Sequence, residues 1–181
     1  ARPLEKAADV FMAPGRVFKT KAKLKMKGLT GDVYLLARPE VNYITDTHVI
    51  TSTRKREVTF DSGLAGLEEG NFQLKAEILK DNQVVKTFHS KTFAKTDLKN
   101  GRYQFTAPWE APLLWDTHTP RHLYTAKMSL NTEDGASVDQ QLPFEFGFRE
   151  FWIDGRDFYL NGKRIHLRAL TVSNSCDFAD K

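Results

Sequence analysis

The chain has 181 residues, 40% of them hydrophobic and 28% charged, with a formal net charge of +4. That length suits one ordinary globular domain with flanking segments and is tight for two complete ones. No run approaches the roughly 18 consecutive apolar residues of a membrane-spanning helix, and the mixed charges carry no helix-turn-helix, zinc-finger or RNP-type signature, so neither a membrane nor a nucleic acid is an expected partner.

In chain order, the first segment shows no charged n-region followed by an apolar h-region, and it opens on Ala1 rather than Met. The start therefore reads as processed or cut. Lysines then occupy every second position of Lys19-Thr20-Lys21-Ala22-Lys23-Leu24-Lys25-Met26-Lys27. In a strand they would share one face. A solvated edge strand, guarded by its lysines against pairing with other chains, is the expected reading; a stripe for an anionic ligand is the alternative. Residues 1–31, ending in Gly28-Leu29-Thr30-Gly31, look detached from the rest of the chain.

Strand signals dominate the middle of the chain. Candidate runs cover residues 32–37, 41–52, 57–61, 72–79, 84–89, 101–107, 122–131 and 138–148. Residues 72–79 and 123–130 alternate apolar with polar, which places one set of side chains in a core and the other in water. Asp81-Asn82, Lys99-Asn100-Gly101 and Glu133-Asp134-Gly135 supply turn chemistry between runs. Seven or so short strands within ~110 residues, with no convincing amphipathic helix, predict an all-β, immunoglobulin-like sandwich. The Cys…Trp…Cys spacing of antibody domains is absent, so only the architecture is implied. Phe144, Phe146 and Phe148 alternate and should pack from one sheet face.

After Phe148 the character changes. Asp154-Gly155 and Asn161-Gly162 offer the positive φ that two-residue hairpin turns demand, so residues 151–167 read as short strands joined by tight turns. Beyond Arg168 the chain turns polar and stops at Lys181 without a closing element, and both ends read as those of an excerpt.

Three segments carry a resemblance. Phe146-Gly147-Phe148-Arg149-Glu150, Asp154-Gly155, Phe158-Tyr159-Leu160-Asn161-Gly162-Lys163 and Leu167-Arg168 together resemble the "GFR … F-x-L-N-G-K … LRG" junction of glycoside hydrolase family 2. Residues Leu114-Trp115-Asp116-Thr117-His118-Thr119-Pro120-Arg121-His122-Leu123-Tyr124 resemble its "LWsPetPxLY" segment. Gly31-Asp32-Val33-Tyr34-Leu35 resembles the last strand of its N-terminal sugar-binding domain. The three occur in the family's order. The family includes β-galactosidases, β-glucuronidases and β-mannosidases, and the junction links a middle immunoglobulin-like domain to the first strand of a catalytic (β/α)₈ barrel. One departure stands out: the family's "LRG" usually continues as "VNRHE", whereas here Arg168 is succeeded by Ala169-Leu170-Thr171-Val172-Ser173-Asn174. The resemblance therefore does not reach a particular sugar.

The resemblance implies an organisation: 1–38, the tail of a preceding sugar-binding sandwich or a linker; 39–149, the immunoglobulin-like sandwich; 150–181, the junction and first strand of a truncated barrel. It implies a non-catalytic fragment of an O-glycosyl hydrolase, retaining in mechanism, whose partners are the other domains of its parent chain and, through them, a carbohydrate. It favours a periplasmic or secreted location over a cytoplasmic one. It also implies that Trp115 and Tyr124 cover the sandwich edges, and that Trp152 and Phe158 pack the seam towards the barrel. An autonomous carbohydrate-binding module or a fibronectin-type interaction domain is the alternative.

No catalytic, cofactor-binding or metal residue is assigned, and no cofactor is expected. Retaining hydrolysis needs two carboxyl groups about 5–5.5 Å apart, and by resemblance these lie on later barrel strands. Glu145 and Glu150, on a sandwich strand and at its exit, are read as solvated or ion-paired. Asp116, His118 and His122 imitate a metal set, but Pro120 denies them helical i, i+4 geometry, and a structural loop is expected. His166 alternates with Ile165 and Leu167 and is read as a polar contact. Trp109, before Glu110-Ala111-Pro112, is the best aromatic for stacking on a sugar, yet core packing is the favoured reading. Cys176 is the single cysteine and is read as an ordinary free thiol.

Overall fold

Alternation and turn chemistry translate into an all-β chain. The structure, a computed structural model, describes residue 33 and residues 37–168. The lysine run 19–27, nearly all of the expected strand 32–37, the segment from Ala169 and Cys176 lie outside the described residues.

β1 (Tyr43–Ser52), β2 (Glu57–Ala65) and β5 (Arg102–Pro108) make one antiparallel sheet, in the order β1-β2-β5. β3 (Phe72–Lys80), β4 (Gln83–His89), β6 (Tyr124–Thr132) and β7 (Ser137–Gln140) make the second, in the order β4-β3-β6-β7. β8 (Phe144–Phe146) takes the same flank of β6 as β7, pairing with Tyr124–Ala126 where β7 pairs with Ser129–Asn131. This is the strand distribution of an immunoglobulin-like sandwich. β9 (Phe151–Asp154), β10 (Asp157–Leu160) and β11 (Lys163–Ile165) come next as a separate three-stranded ribbon. A 3₁₀ turn, Lys95–Asp97, is the one helical element among the described residues.

The core forms where the two inner faces meet. In the second sheet Leu74, Ala76 and Ile78 of β3 sit beside Leu130, Met128 and Ala126 of β6, all buried, and in the last two pairs a small residue neighbours a large one. From the other sheet, Phe60 reaches Phe88 at 5.7 Å between ring centroids and Phe105 at 5.1 Å. Trp109, Tyr124 and Phe148 close one end of the sandwich, with the indole edge-on to both partners. Tyr124 is buried, and its hydroxyl accepts a bond from Leu113 N at 3.1 Å. The buried ring thus keeps a partner for its polar tip. Phe144, Phe146 and Phe148 all pack on the core, as their alternation required.

Several boundaries differ from expectation. The run 138–148 is two strands, because Pro143 has no N–H for the ladder. β2 runs four residues past its expected end, since Ser62 and Gly63 stay inside. Ser62 shares a 2.9 Å hydrogen bond with Thr47, and a Cβ at Gly63 would meet Asp46 Oδ2 at 2.7 Å. That free space admits Arg102, which bridges Asp46 (2.8 Å) and Asp61 (2.9 Å). Its hydrogen bond holds the Asp46 carboxyl below the ordinary carboxylate range against the opposing effect of burial.

The turns match their sequences closely. Asp81 and Asn82, with φ of 51° and 65°, join β3 to β4, and Asn161 and Gly162, at 50° and 86°, join β10 to β11. Both are type I′ in character. Between β9 and β10 the turn is centred one residue later than Asp-Gly suggests. Asp154 pairs with Asp157, Gly155 (φ 58°) comes first and Arg156 second, the II′ pattern. In β4 the register slips between Ile78 and Leu79, leaving Val85 unpaired beside an exposed Val84.

Candidate functional site at the junction of sandwich and ribbon

Residues 147–150 carry the chain from the sandwich into the ribbon, and each is held differently. Phe148 is sunk in the core. Gly147 lies so near the root of Trp115 that an added Cβ would fall 2.6 Å from Trp115 Cβ and 2.8 Å from Cγ. Arg149 lays its guanidinium over the Trp115 ring at 4.6 Å. Its backbone is bracketed by Thr51, whose hydroxyl donates to Arg149 O (2.5 Å) and accepts from Arg149 N (3.1 Å).

Glu150 is the centre of the arrangement. Its Oε2 accepts from Ser52 Oγ (3.1 Å), Thr53 Oγ1 (3.2 Å) and Arg54 N (3.0 Å). Its Oε1 takes the Arg54 fork, Nε at 2.7 Å and Nη2 at 2.5 Å. These donors come from the end of β1 and the turn after it. Meanwhile Glu150 N donates to Asn161 Oδ1 (2.9 Å), Asn161 N donates to Glu150 O (2.9 Å), and Asn161 Nδ2 donates to Trp115 O (2.8 Å). Trp115 N completes the circuit on Phe148 O at 3.0 Å. Arg54, fixed by the carboxylate, sits 4.2 Å over the Trp152 ring, which stacks on Tyr159 at 5.3 Å and 9°.

Burial pushes the Glu150 carboxyl up, but the Arg54 side chain, the Arg54 backbone N–H, the Ser52 hydroxyl and the Arg54 charge together outweigh it and leave it at about 2. A carboxylate so acidic, with donors on both oxygens, is neither a general acid nor a free nucleophile at neutral pH. The arrangement grips. Its folded pKa lies below the ordinary 4.5, so its stabilisation is present above pH 4.5 and is lost as pH falls towards 2. The stability gap between the wild-type chain and Glu150→Gln, read from urea unfolding, should therefore narrow between pH 6 and pH 3. A gap that stays constant would contradict the assignment.

The other candidates fall into place around this junction. Glu145 is exposed and lines a groove of about 1040 Å³ that runs between Ile50, Thr59 and Gln104 of the first sheet and Trp115 and Phe146. Asp116 closes a turn on Thr119 (3.0 Å) and accepts from the Thr117 hydroxyl (3.0 Å). His122 Nδ1 lies 3.2 Å from Leu114 O, a carbonyl that can only accept, so this nitrogen carries the proton. His118 points to water. The segment is a loop of short turns, and among the described residues no three His, Cys, Asp or Glu side chains converge. His166 is exposed. Trp109 is packed between Phe88, Tyr124 and Phe148, with no face free for a sugar. Trp152 packs against Arg54 of the sandwich and Tyr159 of the ribbon, and Phe158 stacks on Phe151 within the ribbon; a seam towards a barrel is not among the described residues. Sequence reasoning passed over Arg54, which in Thr53-Arg54-Lys55-Arg56 looks like any basic turn, and the side-chain role of Asn161, whose Gly162 neighbour signals only a turn.

The profile of "Glycosyl hydrolases family 2" matches residues 42–149. A β-galactosidase of Halalkalibacterium halodurans is 29% identical over 151 residues, covering 81% of this chain and 14% of the relative. The crystal structure of a glycosyl hydrolase family 2 member from Bacteroides cellulosilyticus DSM 14838 shares the fold, with a TM-score of 0.54 and 24% identity, over 68% of this chain and 18% of that one. The chain spans only 14% and 17% of the lengths of the two curated relatives it matches.

Proposed function

The chain belongs to family 2 of the glycosyl hydrolases, and on that premise we propose that its sandwich is a non-catalytic supporting domain of a longer enzyme that hydrolyses O-glycosyl bonds. In this role the sandwich does no chemistry. It carries the ribbon, and the ribbon seats the catalytic (β/α)₈ domain of the same polypeptide, whose strand-end loops hold the carboxyl pair.

The observation that supports this reading is the two-faced ribbon. Its register puts Phe151, Ile153, Phe158, Leu160 and Ile165, with Lys163, on one face and Trp152, Tyr159 and Arg164 on the other. The second face is engaged by the sandwich through Arg54. On the first, Phe151 is 49% and Ile153 60% exposed, with Leu167 beyond them at 60%. A clustered apolar surface of this kind marks a place where another body sits.

Reading the encoding gene past Lys181 tests the proposal. A (β/α)₈ sequence with two glutamates at strand ends is expected; a stop codon or unrelated sequence would end it. The 181-residue chain alone should not hydrolyse aryl-glycosides, nor be retarded in polysaccharide gels. Retardation would favour the binding-module alternative.

A further inference from the structure

We propose that Glu150 is a positioning residue, a latch that fixes the ribbon in one orientation on the sandwich by holding Arg54 against Trp152. The latch is a property of this chain; only its consequence for a domain seated on the ribbon rests on the function proposed above.

The ribbon cannot account for its own order. Its strands have four, four and three residues, and Leu160 is their single buried side chain. Short strands with so little apolar burial are marginal unless packed against something. The attachments to the sandwich converge on one residue. The Glu150 side chain gathers Ser52 at the end of β1 and Thr53 and Arg54 from the turn after it, while its backbone N–H and C=O are both taken by Asn161 of the β10–β11 turn. Asn161 in turn holds Trp115 O, on the sandwich side. Glu150 thus joins the far turn of the ribbon to the end of β1 and its turn, and Asn161 adds the loop that carries Trp115.

The carboxylate also acts through Arg54. Left alone, a 57% exposed arginine side chain would wander. Gripped in a fork, its plane is pre-set and covers Trp152. Arg54, Trp152 and Tyr159 then form a three-layer stack running from the sandwich turn into the central ribbon strand. Glutamine has nearly the shape of glutamate, yet either orientation of its amide turns an NH₂ group towards donors, so Glu150→Gln breaks the grip without opening a void.

Amide hydrogen exchange on the full 181-residue chain tests the latch, comparing wild type, Glu150→Gln and Arg54→Lys. Glu150→Gln should raise exchange across β9–β11 by about tenfold or more, the local-opening signature of losing charge-assisted bonds, while β2, β3 and β6 keep wild-type rates. Arg54→Lys keeps the charge but loses the planar stack, and should free the ribbon to a lesser degree. Acrylamide quenching of tryptophan fluorescence should rise in both variants, and that rise should vanish when Trp152→Phe is added. Ribbon rates within about twofold of wild type, where exposed ion pairs ordinarily leave them, would overturn the latch. So would uniform acceleration of the whole chain, or a quenching gain that survives removal of Trp152.

Discussion

Trp109→Ala should cost the sandwich about 3–5 kcal/mol, the usual loss when a large buried aromatic is cut to alanine. Trp109 is 8% exposed and touches Phe88 at 5.8 Å, Tyr124 at 5.1 Å and Phe148 at 5.2 Å between ring centroids. Those neighbours come from β4, β6 and the segment leaving β8, so the indole ties the end of the second sheet together. Its own backbone N–H is spent on Arg56 O at 2.8 Å, in the turn just before β2. The surrounding strands are fixed by their ladders and can close the resulting hole only in part. Urea unfolding would read the loss, with Trp109→Phe expected to fall between alanine and wild type. A loss below about 1 kcal/mol, the range of ordinary surface changes, would mean that this ring does not hold the sandwich end.

Gly147→Ala should cost about 1–3 kcal/mol through overpacking, a large effect for one methyl group. The position needs no unusual backbone, since Gly147 is not among the glycines with positive φ. What it needs is room. The added carbon would meet Trp115 at Cβ and Cγ, the root of the side chain rather than its movable tip, at 2.6 and 2.8 Å. Trp115 cannot simply retreat, because its N–H is held by Phe148 O and its C=O by Asn161. The strain therefore passes into the junction. Combining Gly147→Ala with Trp115→Ala should give a loss smaller than the sum of the two, because the second change removes what the first collides with. Strict additivity, or a Gly147→Ala chain as stable as wild type, would refute the steric account.

Much of this fold was legible in the sequence, for reasons that can be named. Alternation in residues 72–79 and 123–130 survives because β3 and β6 sit mid-sheet with one face on the core, so a one-residue slip would expose everything. Asp81-Asn82 and Asn161-Gly162 marked turns because few residues accept positive φ. Partner choice was not legible. Nothing local in β5 says that it joins β2 rather than β4, because that depends on which inner faces complete a common core. The segment 138–148 could have been divided at Pro143, a signal outweighed by the alternating phenylalanines around it. At the junction, Glu150 was read as solvated or ion-paired, and it is ion-paired. Its partner Arg54 lies 96 positions away. Distance along the chain hides such a pair, and Gly147 shows its reason only once Trp115 stands beside it.

The slipped register of β4 bears on how copies of the chain behave in a crowded solution. Among the described residues β4 is the outermost strand of its sheet, almost wholly exposed, with two adjacent valines turned to water. A straight strand in that place would template the addition of another and start a fibre. The extra residue interrupts the regular spacing of donors and acceptors and bends the strand away, while Lys86 adds a charge beside it. An incoming strand could match only a few rungs before losing step, so the molecule keeps a sticky-looking margin without growing from it.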